Sequence, residues 1–270
     1  MAELDGKVAI VTGAGRLRGI GRAAAVALAR LGADVAVTGT GRDPASFPDD
    51  EKAVNWADVE STAEQIRAEG RRALPLVFDV TDGAQVDQAI KATIDALGRV
   101  DILINNAAVA RGEDRTPIGD LDRDLFQRVV DVKLRGTFLC TQAVVERLYA
   151  QNEGGKIVNV ASIAGKRGSA NTLAYNAANF GMVGMTQSMA HEFGPHGINV
   201  NCVCPGPVDT SRMDQVRPSE ATTARRGADP VQRWGSDDEV GDFIAYLCTD
   251  AASWIQGQSI NQDGGLVMEH

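Results

Sequence analysis

A chain of 270 residues, 44% of them hydrophobic, can bury one large core. Its net charge of -9 and its lack of any basic block argue against a surface that tracks nucleic-acid phosphates. No apolar run approaches the ~18 residues of a membrane span, and the opening Met1-Ala-Glu-Leu-Asp-Gly-Lys7 has neither the basic nor the apolar region of a signal peptide, so a cytoplasmic protein without nucleic-acid or membrane partners is expected.

From the N-terminus onward, short β-branched runs alternate with helical patterns. The first run, residues 8–11, leads into Thr12-Gly-Ala-Gly-Arg-Leu-Arg-Gly-Ile-Gly21 and then a helix. Glycines at such a turn let the backbone approach a pyrophosphate, and the helix start offers amides and partial positive charge. Gly13, Arg16, Arg18, Gly19, Ile20 and Gly21 are therefore candidate cofactor contacts. The helix carries the apolar stripe Ile20, Ala23/Ala24, Ala27/Leu28 and Leu31, stopped by Gly32.

The second strand, 35–38, runs into Gly39 and Thr40, where a site for NAD usually places a carboxylate for the ribose hydroxyls. Without an acid there a 2′-phosphate becomes acceptable, with Thr40 beside it and Arg16, Arg18 and Arg42 as candidate partners. The same arginines can equally be solvated loop charges. NADP(H) is thus favoured and NAD(H) stays open. Residues 41–61 then break the rhythm as a polar, Pro-containing insertion.

Further strands are predicted at 74–78, 100–104, 156–160, 198–203 and 259–261. They read as continuous apolar runs more than as alternation, as strands covered on both faces do. Between two of them Val86, Ala89/Ile90, Thr93/Ile94 and Leu97 form a second helical stripe, stopped by Gly98. Such βαβ alternation predicts an α/β, Rossmann-type doubly wound and mostly parallel sheet with helices on both faces, as one domain over residues 1–270. Residues 211–238 are long and charged with scattered Pro and Gly, which suits a lid over a ligand. Cys140, Cys202, Cys204 and Cys248 form no CxxC pair and read as small buried hydrophobes. His191, His196 and His270 are too scattered for a metal site.

Along essentially its whole length the sequence resembles the short-chain dehydrogenase/reductase family. Residues 12–21 are similar to that family's phosphate-binding TGxxxGxG, with two extra residues. Asp79-Val80 resembles the pair that contacts the adenine ring. Asn105-Asn106-Ala107-Ala108 resembles NNAG with alanine for its glycine. Pro205-Gly206-Pro-Val208-Asp-Thr210 resembles the motif that holds the nicotinamide carboxamide, and residues 257–265 the closing strand and turn. The resemblance implies a seven-stranded Rossmann sheet, a small carbonyl or alcohol substrate, and often a homotetramer or homodimer.

The family's catalytic residues carry over in part. Ser162 in Asn-Val-Ala-Ser-Ile-Ala-Gly and Tyr175, thirteen residues later, stand in the expected relation. In the family the serine holds the substrate oxygen and the tyrosine passes the proton. The lysine expected four residues beyond the tyrosine is replaced by Asn179, and the asparagine expected in Asp131-Val-Lys-Leu-Arg-Gly136 is Lys133. Lysine and asparagine look exchanged between two helices. A solvent-facing lysine is the plainer account, but Lys133 shares a face with Phe126, Val129/Val130, Gly136/Thr137 and Cys140, which directs it inward. A free tyrosine titrates near ~10, and a cation about 5 Å away at an effective dielectric of ~20 favours its phenolate by ~3 kcal/mol. Lys133 can supply that cation; Asn179 can hydrogen-bond the nicotinamide ribose. The expected activity is carbonyl/alcohol oxidoreduction. A dinucleotide-binding regulator that has lost catalysis, or a lyase on this scaffold, is the alternative.

Overall fold

The computed structural model describes residues 2–216 and 230–268. All seven predicted strands form: β1 (Val8–Val11), β2 (Asp34–Gly39), β3 (Ala73–Val77), β4 (Ile102–Asn105), β5 (Gly155–Val160), β6 (Ile198–Pro205) and β7 (Ser259–Gln262). They lie in one sheet of order β3-β2-β1-β4-β5-β6-β7. Every neighbouring pair is parallel, so this sheet is wholly rather than mostly parallel. Strand order reverses between β1 and β4. In open α/β sheets the crevice beyond the carboxyl ends of such a pair is where ligands bind.

Around the sheet lie α1 (Ile20–Arg30), α2 (Asp49–Ala53), α3 (Val59–Ala68), α4 (Gly83–Leu97), α5 (Arg123–Val130), α6 (Gly136–Gln151), α7 (Leu173–Phe193) and α8 (Asp237–Leu247). On one face the α1 stripe (Ala24, Ala27, Leu28) joins Ile66 of α3 and Val240 and Ile244 of α8 against Val11, Val35 and Ile104. On the other, Val86 and Ile90 of α4, Val144 and Leu148 of α6 and Phe193 of α7 cover Ile10, Leu103 and Ile157. Because consecutive strand residues point to opposite faces, each strand feeds both layers, which is why the runs read as unbroken apolar stretches.

A polar network ties the centre of the second layer. Asn105 Nδ2 donates to Asn159 Oδ1 (3.0 Å) and Thr141 Oγ1 (3.1 Å), and Asn159 Nδ2 donates to Thr186 Oγ1 (2.9 Å). All four are buried. They clamp β4 and β5 to α6 and to α7, which bears Tyr175 and Asn179.

Two expected boundaries move. The insertion predicted at 41–61 contains a 3-10 turn at Pro44–Ser46 and α2, and it ends early because α3 already begins at Val59. It is also less solvated than its composition suggested, since Phe47, Glu51, Trp56 and Asp58 are buried. The predicted lid at 211–238 overruns α8 by two residues, because a capping box between Ser236 and Glu239 starts that helix at Asp237. Residues 217–229 of the lid lie outside the described residues. No described helix is long and apolar enough to cross a membrane.

Candidate active site

At the crevice, the end of β1 and the end of β4 are knitted into one unit. Thr12 Oγ1 accepts the backbone N–H groups of Asn106 (2.9 Å) and Ala107 (3.1 Å), while Asn106 Nδ2 donates to the carbonyls of Thr12 and Gly13, each at 2.9 Å. The Asn106 amide is therefore engaged by the turn rather than free for a ligand. Gly13 adopts φ +68°, and a Cβ there would stand 2.9 Å from Ala107 Cα; a Cβ on Gly21 would stand 2.5 Å from Asn106 Nδ2. α1 starts with no side-chain cap and no acid in its first turn. The Gly19 N–H before it donates to Asp237 Oδ2 (2.9 Å), and the glycines at 13 and 21 keep the approach to the helix start clear of side chains, which fits a dinucleotide pyrophosphate.

The insertion wraps this turn. Trp56 Nε1 and Arg42 Nη2 both donate to the Gly15 carbonyl (2.7 and 2.8 Å), Thr62 Oγ1 to that of Ala14 (2.7 Å), and the Leu17 N–H to Glu51 Oε1 (3.0 Å). Its acids bring a carboxylate beside the glycine-rich turn and the end of β2. A Cβ on Gly15 would fall 1.5 Å from Asp58 Oδ1, and one on Gly39 would meet the same oxygen at 3.4 Å and Val59 Cγ1 at 2.9 Å. Asp58 thus fills the space of the side chain missing after β2. It does so with φ +54°, a strained setting for a non-glycine residue, held by the Arg42 N–H donating to Oδ2 at 3.0 Å.

Two of the arginines expected at a 2′-phosphate are also engaged. Arg18 pairs with Asp50 (2.6 Å), Asp209 (3.1 Å) and Asp214 (2.6 Å). Arg42 pairs with the fully buried Glu51 (2.8 Å) and with Asp58 (3.6 Å), and lies over the Phe47 ring. Arg16 makes no ion pair among the described residues; burial, with Arg42 nearby, holds its guanidinium below the ordinary range. Thr40 is exposed at the strand end. The sequence carried a signal for this, the acidic run Asp49-Asp50-Glu51 with Asp58 behind it.

The remaining expected contacts sit along the same edge. Asp79 binds Thr81 (N–H at 2.9 Å, hydroxyl at 2.8 Å) and Arg128 (3.2 Å), and its own N–H donates to Gln85 Oε1. Val80 is buried against Gly136, and Ala108 lines the cleft described next. Pro205 closes β6, the Gly206 N–H donates to the Gln262 carbonyl (3.0 Å), and Val208 and Thr210 are buried.

Three of the candidate catalytic residues, Lys133, Tyr175 and Asn179, line one cleft together with Val109, Asp114 and Arg212. α5 and α6 are joined through one π-helical turn, Asp131–Arg135, and that turn presents Lys133. Such wide turns recur at functional sites because they re-aim one side chain without ending the helix. Lys133 is 6% exposed, which removes the solvent-facing alternative. Its ammonium donates to the Val160 carbonyl at the end of β5. Burial pushes it from its ordinary 10.5 down to about 8, with Arg212 adding repulsion. Asn179, one turn after Tyr175, is fully buried; its Nδ2 donates back to the Tyr175 carbonyl (2.8 Å) and its Oδ1 has no partner. Ser162 follows β5, caps the 3-10 turn Ile163–Gly165 and is nearly buried. Sequence reasoning missed Arg111 and Arg115, which sit in a loop of no periodicity; Arg115 packs over the Tyr175 ring.

Burying Lys133 destabilises the fold, and the sign can be checked. Below pH 8 the ammonium is charged in both folded and unfolded chains, and the full penalty, about 3 kcal/mol, is present. Between pH 8 and about 10.5 the unfolded chain binds more protons, so stability rises with pH. Lys133→Met should therefore melt higher than the wild type at pH 7, and the gap should narrow as pH approaches 10; calorimetry across that range measures it. A variant less stable at pH 7 would contradict this account.

Comparison with known proteins places this geometry in a family. Residues 13–267 match the family model described as enoyl-(acyl carrier protein) reductase. The chain is 36% identical to a 3-oxoacyl-[acyl-carrier-protein] reductase of Synechocystis, over 99% of this chain and 100% of that one. It superposes on carveol dehydrogenase of Mycobacterium avium, solved in complex with NAD, with a TM-score of 0.87 at 27% identity, covering 100% of each chain. A blue fluorescent protein from a metagenomic library, solved with NADPH, gives a TM-score of 0.83 at 32% identity, covering 98% of this chain and 100% of that one.

Proposed function

The chain belongs to the short-chain dehydrogenase/reductase family, and we propose that Ser162, Tyr175, Lys133 and Asn179 are its catalytic set, with lysine and asparagine exchanged between helices. It is an oxidoreductase acting between a nicotinamide dinucleotide and a carbonyl or secondary alcohol. The bound nicotinamide supplies or accepts the hydride. Ser162 Oγ holds the substrate oxygen, and the Tyr175 hydroxyl gives that oxygen its proton during reduction and takes it back during oxidation. Lys133 provides a positive charge in the cleft that holds the tyrosine. Asn179 Oδ1, the orphaned buried acceptor, takes a hydrogen bond from a ribose hydroxyl.

The observation that carries this reading is the burial of Lys133 in the cleft of Tyr175 and Asn179 with no carboxylate partner among the described residues. A cation kept out of water at a net penalty needs a purpose, and activation of the adjacent tyrosine is one. The test is turnover, followed at the reduced-nicotinamide absorbance band, over a panel of ketones, oxo acids and alcohols. Consumption of nucleotide is expected. Tight binding of nucleotide without turnover of any compound would point instead to a regulator.

For the cofactor we read NAD(H) rather than the NADP(H) expected from the bare strand end. Five carboxylates (Asp50, Glu51, Asp58, Asp209, Asp214) surround the three arginines of this end. Asp58 beside Gly15 suits ribose hydroxyls better than a phosphate. The four buried free thiols fit a reducing, cytoplasmic compartment. Phe138 on α6 and Phe180 on α7, each about half exposed, support a homo-oligomer.

A further inference from the structure

Two arginines gather over the Tyr175 ring, with a third beside them. Arg115, in the loop after β4, lays its guanidinium on the Tyr175 ring, with Cζ 3.9 Å from the centroid. Arg212, beyond β6, approaches the same ring at 5.2 Å. Arg111 lies close enough to repel Arg115, and its Nη1 rests 3.6 Å from Met213 Sδ. Lys133 in the same cleft makes a fourth cation.

Against these charges stands one lining carboxylate among the described residues, Asp114. It pairs with Arg115 at 3.3 Å and also accepts the Gly112 N–H at 3.1 Å. Arg212 donates to the Val109 carbonyl, and neither it nor Arg111 makes an ion pair among the described residues. Arg115 Nε is the buried atom of that ion pair, and it makes no hydrogen bond of good geometry. Burial holds the Arg115 guanidinium below its ordinary range, and Arg111 and Arg212 repel it further. A cation stacked on a phenol ring recovers little of what it loses on leaving water. Among the described residues these cations outnumber the one lining carboxylate, which suits an anionic group of a substrate.

We propose that the substrate is an oxo acid, or the corresponding hydroxy acid, whose carboxylate is bound by Arg115 and Arg212. The position of the guanidiniums fixes where the anion lies. Stacked on the tyrosine that handles the proton, they reach only a group within a few bonds of the reacting carbonyl, which selects 2-oxo and 3-oxo acids over carriers with a distant phosphate. The planar guanidinium fork also matches a carboxylate in two parallel hydrogen bonds. This inference rests on the oxidoreductase reading of Tyr175.

The test compares acids with their neutral methyl esters (pyruvate, acetoacetate and levulinate) by kcat/KM with NADH and the full chain. For pyruvate or acetoacetate the wild type should prefer the acid over the ester by ~10-fold or more. Arg115→Leu and Arg212→Leu should each erase most of that preference through the KM of the acid, over and above any fall in kcat that acid and ester share, and Arg115→Lys should restore part of it. If Arg115 only assisted Tyr175, acid and ester would fall together in kcat and their ratio would hold, which overturns the proposal. So does a wild type that prefers the esters. Titration of acetoacetate and its ester into the enzyme–NADH complex, read by nucleotide fluorescence, decides the anion site even without turnover. Preferential binding of the acid then upholds the site while the oxidoreductase reading fails; equal binding sinks the site itself.

Discussion

Replacing Lys133 with methionine should lower kcat by ~10²- to 10⁴-fold while NADH still binds. A positive charge about 5 Å from a phenol oxygen, at an effective dielectric of ~20, is worth ~3 kcal/mol in favour of the phenolate, or about two orders of magnitude in rate if the proton is fully in flight. Methionine keeps the volume of the buried stem and removes only the charge and the hydrogen bond to the Val160 carbonyl. Since the same change should make the protein more stable at pH 7, a loss of activity cannot be put down to unfolding. The pH profile separates this from a packing role. The Lys133 ammonium is held near 8 by its burial, so it is charged below that pH and neutral above. Wild-type kcat for reduction should therefore fall as pH rises through about 8, and the variant should lack that limb. The double variant Lys133→Asn with Asn179→Lys should recover much of the rate. A Lys133→Met enzyme of wild-type kcat would sink the exchange.

How far the sequence revealed this site can be judged residue by residue. The strands were legible because burial on both faces leaves unbroken apolar runs, and Lys133 was legible because a charged residue on an apolar helical stripe has nowhere else to point. The π turn that aims it was not, since one extra residue in a helical turn barely disturbs the periodicity. Asp58 carried no such signal, for another reason. A carboxylate nineteen residues past Gly39 in sequence returns to its side only because Trp56, Arg42 and Glu51 anchor the insertion to the glycine-rich turn. Local spacing carries no record of that closure. The same holds for Arg115, whose contact with Tyr175 bridges sixty residues.

Asp58→Asn should shift the enzyme's choice of cofactor, raising the ratio of kcat/KM with NADPH to that with NADH by ~10²-fold or more. Two effects add. A charge-assisted hydrogen bond from a ribose hydroxyl to a carboxylate contributes ~1.5–3 kcal/mol, and its weakening should raise the KM for NADH. A doubly charged 2′-phosphate about 5 Å from that carboxylate is repelled by ~3 kcal/mol per unit of charge at an effective dielectric of ~20. Removing the charge lifts that repulsion and frees the Arg42 guanidinium from one of its two carboxylates. Asparagine is well suited to the position, because it tolerates the φ of +54° better than most residues and keeps an acceptor for the Arg42 N–H. Gly15→Ala offers an independent route to the same end. Its methyl would fall on Asp58 Oδ1 and push the carboxylate away, so it too should weaken NADH without touching Tyr175 or Lys133. Steady-state kinetics with both nucleotides measure the ratio. A wild type that prefers NADPH, or an Asp58→Asn enzyme whose ratio does not move, would leave Asp58 a clamp of the insertion and return the ribose pocket to Arg16.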